Sequence, residues 1–541
     1  MFYLYLLIAV TGVTILVNTY YSYKRRKLVL TLWDRNSILD VMPNYHETFK
    51  YFYENSKVSS NDSYCVDEIT WNDLNMNKIF KKINFTFTSV GEELLFYRLK
   101  RAHEEYWFDE ELIKKITEDR QYRIKLSLIL SALGKSTHAN SSKYIFEKPN
   151  YKVNKIYFLL SVLPIIGVIL MFFSLPIGLI VTFISVLINS FLFYITRGKN
   201  EEEFDSVFYC LNIILTSRKL AKLNNDTDFL KRTNKLKRAP YISVLLLKDD
   251  PTASNLVLQL FTLVKSIFLI DYFVFHYIIK ILSTNKDIYE VAWRKTGEID
   301  CCYSVGLWRK TLPFYSLPKY SNNGSLIIQD GYHPLLSDPV GNDFQFNKDI
   351  LLTGSNASGK STFIKTIALN IILSQALNTS TSKEITLTRG LVYSSMAMSD
   401  DIEKGQSYFL SEISALKRIF DIRNDSKDTL MYLFVDEIFK GTNTVERVAA
   451  AESVLNYLSD YNETRIMAAT HDLELTDKLS TKYTNFHFRE HIINDEIIFD
   501  YSIKVGPSKT KNAIELLRIT NFPERVYKEA LINSKELLSK L

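Results

Sequence analysis

Eight consecutive residues, Gly354-Ser355-Asn356-Ala357-Ser358-Gly359-Lys360-Ser361, complete the pattern G-x-x-x-x-G-K-[ST], and Thr362 follows. That spacing sets a run of backbone N–H groups at the start of a helix, where they and the positive helix end cradle polyphosphate. Lys360 is then placed to reach β- and γ-phosphates, and the Ser361 hydroxyl to ligate Mg²⁺. The run Asp349 to Leu352 reads as the strand that must enter this loop, and Phe363 to Leu373 as the helix that must leave it. Strand, loop and helix agree, so a nucleoside triphosphate is the expected ligand.

Two further apolar runs end in residues that suit hydrolysis of that ligand. Met431-Tyr432-Leu433-Phe434-Val435 has the character of a buried parallel strand and runs into Asp436-Glu437. At the strand tip Asp436 is a candidate to hold Mg²⁺, and Glu437 to orient or deprotonate the attacking water. Arg465 to Ala469 is another such run and ends in Thr470-His471-Asp472. A lone histidine is commonly structural, but its place at the tip of a core strand makes His471 a candidate sensor of the γ-phosphate.

Taken together, the order and spelling of these motifs resemble the MutS ATPases. Thr353 to Thr362 resembles the family's phosphate loop, with Asn356 at its characteristic position. Asp401 through Gly405, Ser407, Phe409 and Glu412 resembles its signature segment, Asp436 to Thr444 its acidic strand end and following loop, and Ala469-Thr470-His471 its switch strand. His333-Pro334-Leu335-Leu336 with Asn342-Asp343 resembles the entry to the ATPase domain, and Asn512-Ala513-Ile514 through Pro523 and Ala530 its closing helix pair. Fainter likenesses run from Thr70-Trp71-Asn72-Asp73-Leu74 to Gly91-Glu92-Glu93-Leu94-Leu95, and from Gly297-Glu298-Ile299-Asp300 to Ser304.

The resemblance implies ATP and Mg²⁺ as cofactors, hydrolysis of ATP to ADP and phosphate, and a homodimer. In such a dimer Gly405 and Ser407 of one subunit would face the γ-phosphate of the other. Two departures qualify it. Lys440 stands where many members carry arginine. The core-like segment begins near residue 67, so the mismatch-reading domain is expected to be missing. Phe52-Tyr53-Glu54 and Phe108-Asp109-Glu110 spell the Phe-x-Glu of mismatch readers, but neither sits in mixed α/β sequence of domain length. Mismatch recognition is therefore not expected, nor is an appended nuclease domain.

The elements around the site include apolar stretches that fit a bilayer. Met1 to Tyr23 is uncharged and is followed at once by Lys24-Arg25-Arg26-Lys27, which favours a retained anchor with residue 24 onward cytoplasmic. A cleaved signal peptide would want basic residues before the apolar stretch. Ile156 to Thr196 is 41 residues without a formal charge, about twice what one span needs. Ser174-Leu175-Pro176-Ile177-Gly178 supplies turn residues at its middle, so a hairpin is expected. Lys152 and Lys155 before it, with Arg197 and Lys199 after it, place both ends in the cytoplasm. Leu256 to Ile279, interrupted by Lys265, Asp271 and His276, reads instead as one buried lever helix.

The whole chain has 541 residues and a net charge of +6. Arg218, Lys219, Lys222, Lys231, Arg232, Lys235, Lys237 and Arg238 stand against only Asp226 and Asp228. Three readings stay open for this stretch: DNA phosphates, anionic lipid headgroups, or a solvated helix face. Cys65, Cys210, Cys301 and Cys302 have no metal-ligand or disulfide spacing, as suits a reducing cytoplasm.

The expected architecture is an α/β P-loop (ABC-class) ATPase domain with an all-α core and lever region and about three transmembrane helices. The expected domains are an anchor at 1–23, helical core at 24–154, a membrane hairpin at 155–197, core and lever at 198–325, and the ATPase domain at 326–541. The expected location is the cell membrane, multi-pass, with the ATPase domain cytoplasmic. The expected function is an ATP-driven dimer clamp acting on or near duplex DNA. The alternatives are a membrane-remodelling or transport-associated ATPase, and a nucleotide-gated scaffold without DNA binding. An ABC exporter would need a Leu-Ser-Gly-Gly-Gln-type signature, which is not seen.

Overall fold

A computed structural model describes all residues except 1–18, 21–22, 25, 28, 30, 35–47, 61–63, 105–108, 137–139, 148–151, 200, 243–255, 356–357, 397–407, 441, 494–495, 509–512, 520–521 and 541. Two compact units emerge. Met1–Asp62, Asn84–Tyr97 and Asp109–Trp308 form the first; Ser63–Ile83, Arg98–Phe108 and Arg309–Leu541 form the second.

Every regular element described in the first unit is a helix. Its interior is organised by a buried carboxylate. Asp300, on the helix Lys286–Thr311, accepts from Phe87 N at 3.0 Å, Thr88 N at 2.8 Å and Thr88 Oγ1 at 2.6 Å. These bonds fix the two residues before the helix Ser89–Lys100, whose first turn is capped by Thr88 Oγ1 accepting from Gly91 N at 3.0 Å. Gly91 is required for that approach, because a Cβ there would lie 2.4 Å from Asp300 Oδ2. The two faintly familiar segments of the sequence thus meet at one contact. Phe52 is fully buried and stacks on Trp293 with 4.5 Å between ring centroids, so it has no freedom to wedge into a duplex.

The long apolar region folds back on itself as α1 (Lys155–Leu170) and α2 (Leu175–Lys199). The Asn154 side chain starts α1 by accepting from Ile156 N. The reversal falls at residues 171–174, slightly before the expected turn. Pro176 sits in the first turn of α2, where its missing N–H costs nothing. Gly167 and Gly178 let the helices touch, since a Cβ at either would come within 2.4 Å of Thr182 or Met171.

The expectation of about three spanning helices is not matched. Among the described residues one single helix, α2, is long and apolar enough to cross a membrane. The sixteen residues of α1 reach only about 24 Å, short of the ~30 Å hydrocarbon core. Met1 to Tyr23 lies almost wholly outside the described residues. The expected single helix over Leu256 to Ile279 is also corrected. It is two helices, α3 (Leu256–Phe268) and α4 (Ile270–Thr284), bent by 75°. Leu269 between them has φ 50°, a left-handed conformation through which an α-helix cannot continue.

The second unit is built on a sheet ordered β12-β9-β4-β8-β7-β6. Its strands are β4 (Asp349–Thr353), β6 (Leu391–Ser395), β7 (Met431–Asp436), β8 (Thr464–Ala469), β9 (Tyr483–His487) and β12 (Lys504–Val505). All neighbours pair parallel except β12 with β9. Every residue of β4, β6 and β7 is buried, in keeping with the apolar runs at 350–352, 391–393 and 431–435. The connecting helices are α5 (Lys360–Leu377), α6 (Tyr408–Asp425) and α7 (Thr444–Ser459). A smaller sheet, ordered β1-β5-β2-β3, comprises β1 (Lys319–Tyr320), β2 (Leu326–Gly331), β3 (Asn342–Phe346) and β5 (Glu384–Leu387). A hairpin of β10 (Glu490–Ile493) and β11 (Glu496–Phe499) follows β9.

The edge strand β6 does not face solvent with open hydrogen-bonding groups. The sequence-remote helix Glu68–Asp73 packs there: Ser394 Oγ and Met396 N donate to Asp73 Oδ2 at 2.6 and 3.1 Å. Arg418 on α6 grips Asp67 through Nε at 2.7 Å and Nη2 at 3.2 Å. That bidentate pair fixes α6, at whose start the signature segment lies.

Candidate active site

The sheet aligns three strand tips in one row. Asp436 on β7 is opposite Ala469 on β8, which is opposite Leu352 on β4. Thr470 N donates to Leu352 O at 3.0 Å, and Glu437 N to Ala469 O at 3.0 Å. Register alone therefore brings the phosphate loop, the acidic pair and His471 to one edge.

The loop leaves β4 at Gly354, whose φ of 144° and contact with Phe488 O at 2.7 Å from a notional Cβ admit only glycine. Gly359, at φ 108°, is the residue before α5. Lys360 Nζ donates to Gly354 O and Ser355 O, both at 2.9 Å, and lies 3.5 Å from His471 Nε2. Burial lowers the pKa of this amine, while Asp436, Glu437 and Glu490 push it back up. Ser358 is buried, Ser361 and Thr362 are exposed, and Asn356 and Ala357 lie outside the described residues.

Asp436 is buried and its pKa is raised, chiefly by desolvation; the Ser361 hydroxyl beside it works in the other direction. Its Oδ1 is a buried acceptor with no hydrogen-bond partner. An orphaned carboxylate oxygen next to a serine hydroxyl is a hard-oxygen donor set that fits Mg²⁺. Among the described residues no group of three or more His, Cys, Asp or Glu is arranged to hold a metal. A Mg²⁺ ion here would therefore take its remaining ligands from water and phosphate.

Glu437 adopts φ 58° and Phe439 φ 57°, two left-handed residues within three. Non-glycine residues in this region store strain and mark a turn imposed by its surroundings. Phe439 N is held by the Glu412 carboxylate of α6. The turn aims Glu437 at an imidazole and an ammonium group: Oε1 lies 2.7 Å from His471 Nε2, and Oε2 2.5 Å from Lys440 Nζ. The His471 contact, aided by Lys440 and opposed by partial burial, brings the Glu437 pKa down to about 2. Asp472 is fixed by a bidentate Arg447 at 2.8 and 2.6 Å.

Beside these groups is a cavity of about 440 Å³ that sequence reasoning did not delineate. It is lined by Lys360 and Ser361 with Glu437 at the phosphate end and by His333, Val340 and Tyr501 elsewhere. Asn342 positions Tyr501, donating to its carbonyl at 3.0 Å and accepting from Ile503 N at 2.8 Å. The Tyr501 ring comes within 3.1 Å of a notional Cβ on Gly359. His333 is held neutral, its pKa pushed down to about 4 by burial and by Lys365 and Lys82. Glu490, which also escaped notice, accepts from Ser355 Oγ at 2.7 Å. Gly405 and Ser407 of the expected trans signature lie outside the described residues.

Residues 350–538 match the family model for MutS domain V. This part of the chain is similar to MutS domain V. It is 30% identical over 239 residues to the DNA mismatch repair protein MutS of Geobacillus sp. (strain WCH70), covering 42% of this chain and 27% of that protein. With the DNA mismatch repair protein MutS of Protochlamydia amoebophila (strain UWE25) it shares 30% over 279 residues, 49% of this chain and 31% of that one. With that of Listeria monocytogenes serotype 4a (strain HCC23) it shares 28% over 298 residues, 53% and 32% respectively. The chain thus spans about a third or less of the length of these MutS relatives.

Proposed function

We propose that this chain binds ATP with Mg²⁺ and hydrolyses it to ADP and phosphate. The observation that supports this most is the meeting of Lys360, Asp436, Glu437 and His471 at adjoining strand tips beside one cavity. Mg²⁺, held by Ser361 and Asp436, would neutralise phosphate charge. Lys360 would leave the loop carbonyls for the phosphates, and Tyr501 would cover the base end. Glu437 would hold the attacking water, with His471 positioning the carboxylate. Because its pKa lies so low in this arrangement, Glu437 orients the water better than it abstracts a proton. Lys360→Ala tests the reading through binding of a fluorescent ATP analogue. At least a tenfold loss of affinity is expected, and unchanged affinity would refute it.

The working unit in this reading is a homodimer, with Gly405 and Ser407 of one subunit completing the site of the other. Ser407→Arg should then abolish turnover, and mixing it with Glu437→Gln subunits should restore at most one working site per dimer. The dimer would act on or beside duplex DNA through phosphate contacts. Lys219, Lys222, Lys231, Arg232, Lys235, Lys237 and Arg238 are all exposed, whereas Arg218 bonds inward to Leu230 O and Thr233 Oγ1. Affinity should be sequence-indifferent and fall steeply with salt.

The chain would be held in the cell membrane by α2 as a span with α1 folded back beside it, and by Met1 to Tyr23 as a further anchor, with the ATPase domain cytoplasmic. One observation favours a second reading, an ATP-driven membrane-remodelling enzyme without DNA. The hairpin exposes large apolar side chains along its whole length, among them Phe158, Phe172, Phe173, Phe183 and Phe191. Absence of DNA binding at low salt would select that reading.

A further inference from the structure

The short helix α3 is inside-out. Among its described side chains the buried ones are Lys265 and Ser266, while Leu260, Phe261, Leu263 and Val264 are exposed. A helix in water places its apolar stripe inward and its charges outward. The neighbouring α2 has much the same inverted polarity, burying Gly178, Ser185 and Asn189 with one large apolar residue, Phe193, while exposing Phe183, Leu187 and Phe191.

Polar groups bind the two together. Asn189 Nδ2 donates to Leu160 O on α1 and to Ile267 O on α3, both at 2.8 Å, joining three helices through one side chain. Ser190 and Ser266 hydroxyls approach within 3.5 Å. Lys265 Nζ lies 3.5 Å from Asp271 Oδ1, and Arg197 Nη1 lies 2.7 Å from Asp271 Oδ2. A fully buried lysine amine thus shares a carboxylate with the arginine that ends the apolar part of α2.

Depth follows from helix geometry. Asn189 and Arg197 are eight residues apart on one helix, about 12 Å along its axis. If Arg197 marks the headgroup boundary, Ile267 lies about 12 Å farther toward the hydrocarbon. The 75° bend at Leu269 then carries the chain from that depth back to Asp271 and on into α4.

We propose that α3 is embedded in the bilayer beside the α1–α2 hairpin, its Leu260, Phe261, Leu263 and Val264 face in contact with lipid acyl chains. The Arg197–Asp271–Lys265 cluster fixes where it leaves the lipid. This rests on the reading of the hairpin as membrane-embedded. The occupant of the exposed face is hydrocarbon because that face continues the apolar band of the hairpin, and because the charge on the same helix is turned away from it and neutralised. Ion pairing and burial against protein are what an ionisable residue needs at membrane depth.

The test uses the full chain in phosphatidylcholine–phosphatidylglycerol nanodiscs, spin-labelled at one introduced cysteine at a time. Leu260→Cys and Leu263→Cys probe α3, Phe183→Cys probes the hairpin, and Lys231→Cys is the aqueous reference. The unsubstituted chain, whose four cysteines are buried, supplies the background. Collisional relaxation by oxygen, enriched in lipid, is compared with that by a water-soluble nickel chelate. Positions 260 and 263 are expected to match 183, with an oxygen-to-nickel ratio several-fold above that at 231. Lipid-like values at 183 with water-like values at 260 and 263 would overturn the proposal while leaving the hairpin in the membrane. A water-like value at 183 would remove the reading beneath it. Shielding of 260 and 263 from both reagents, with dipolar broadening between labels, would mean a second copy covers the face, and would also overturn it.

Discussion

His471 Nε2 and Glu437 Oε1 lie 2.7 Å apart, at the tips of two neighbouring strands. This pair links the residue expected to sense phosphate to the one expected to hold water, and it is the largest single cause of the depression of the Glu437 pKa to about 2. A group that must be ionised loses function as pH falls through its pKa. With His471 in place that loss lies below pH 4. In His471→Ala the carboxylate should move back toward its ordinary value of about 4.3. The acid limb of the ATPase profile should then rise toward pH 4–5, alongside a lower kcat. Identical acid limbs in the two proteins would argue that the pair does not set the state of Glu437.

Asp436 gives a prediction about metal. Its unpartnered Oδ1 and the adjacent Ser361 hydroxyl are the hard oxygens available to Mg²⁺. Asp436→Asn keeps the shape and removes the charge, so Mg²⁺ should no longer tighten ATP binding, while metal-free binding should be little changed or stronger. Equilibrium titrations with and without Mg²⁺ read this directly, and an undiminished Mg²⁺ effect would count against Asp436 as the ligand.

Glu93 predicts how stability varies with pH. Burial raises its pKa to about 8, with Glu92 adding to the shift and the Ser142 hydroxyl, 2.5 Å from Oε2, opposing it. A carboxyl raised in the folded state binds more protons folded than unfolded. Stability should therefore decline as pH rises from about 4.5 toward 8, with a limiting slope of about 1.4 kcal/mol per pH unit for one proton. Glu93→Gln should flatten that decline and raise the melting temperature at pH 8 relative to the parent chain. A steeper decline in the variant would reverse the sign of the argument.

The strand tips were legible in the sequence because each is a local signal. A continuous apolar run ending in Gly354, in Asp436-Glu437 or in Thr470-His471 states both the strand and its chemical end, and parallel pairing leaves few ways to arrange them. Tyr501 and Glu490 were not legible. They reach the phosphate loop from more than 130 residues away, and only the return of the chain through β9 to β11 brings them near. Nor was the Asp67–Arg418 pair, which spans 351 residues of chain and rests on side chains that read as surface charges. The break at Leu269 has no sequence signal at all, since leucine is a strong helix former. Composition alone also could not tell α3 from a buried helix. Which of its faces is buried is a property of its neighbours, and only the packing of Lys265 inward reveals the inversion.

Turnover by Glu437→Gln, measured beside ATP retention in the same purified protein, bears most directly on the central claim. Glutamine keeps the hydrogen-bonding shape at the β7 tip but cannot carry the negative charge that holds and polarises water. ATP affinity should stay within a fewfold of the parent, while kcat should fall by a factor of about 10² to 10⁴. Near-parental turnover with intact ATP binding would contradict the assignment of this edge as the hydrolytic site.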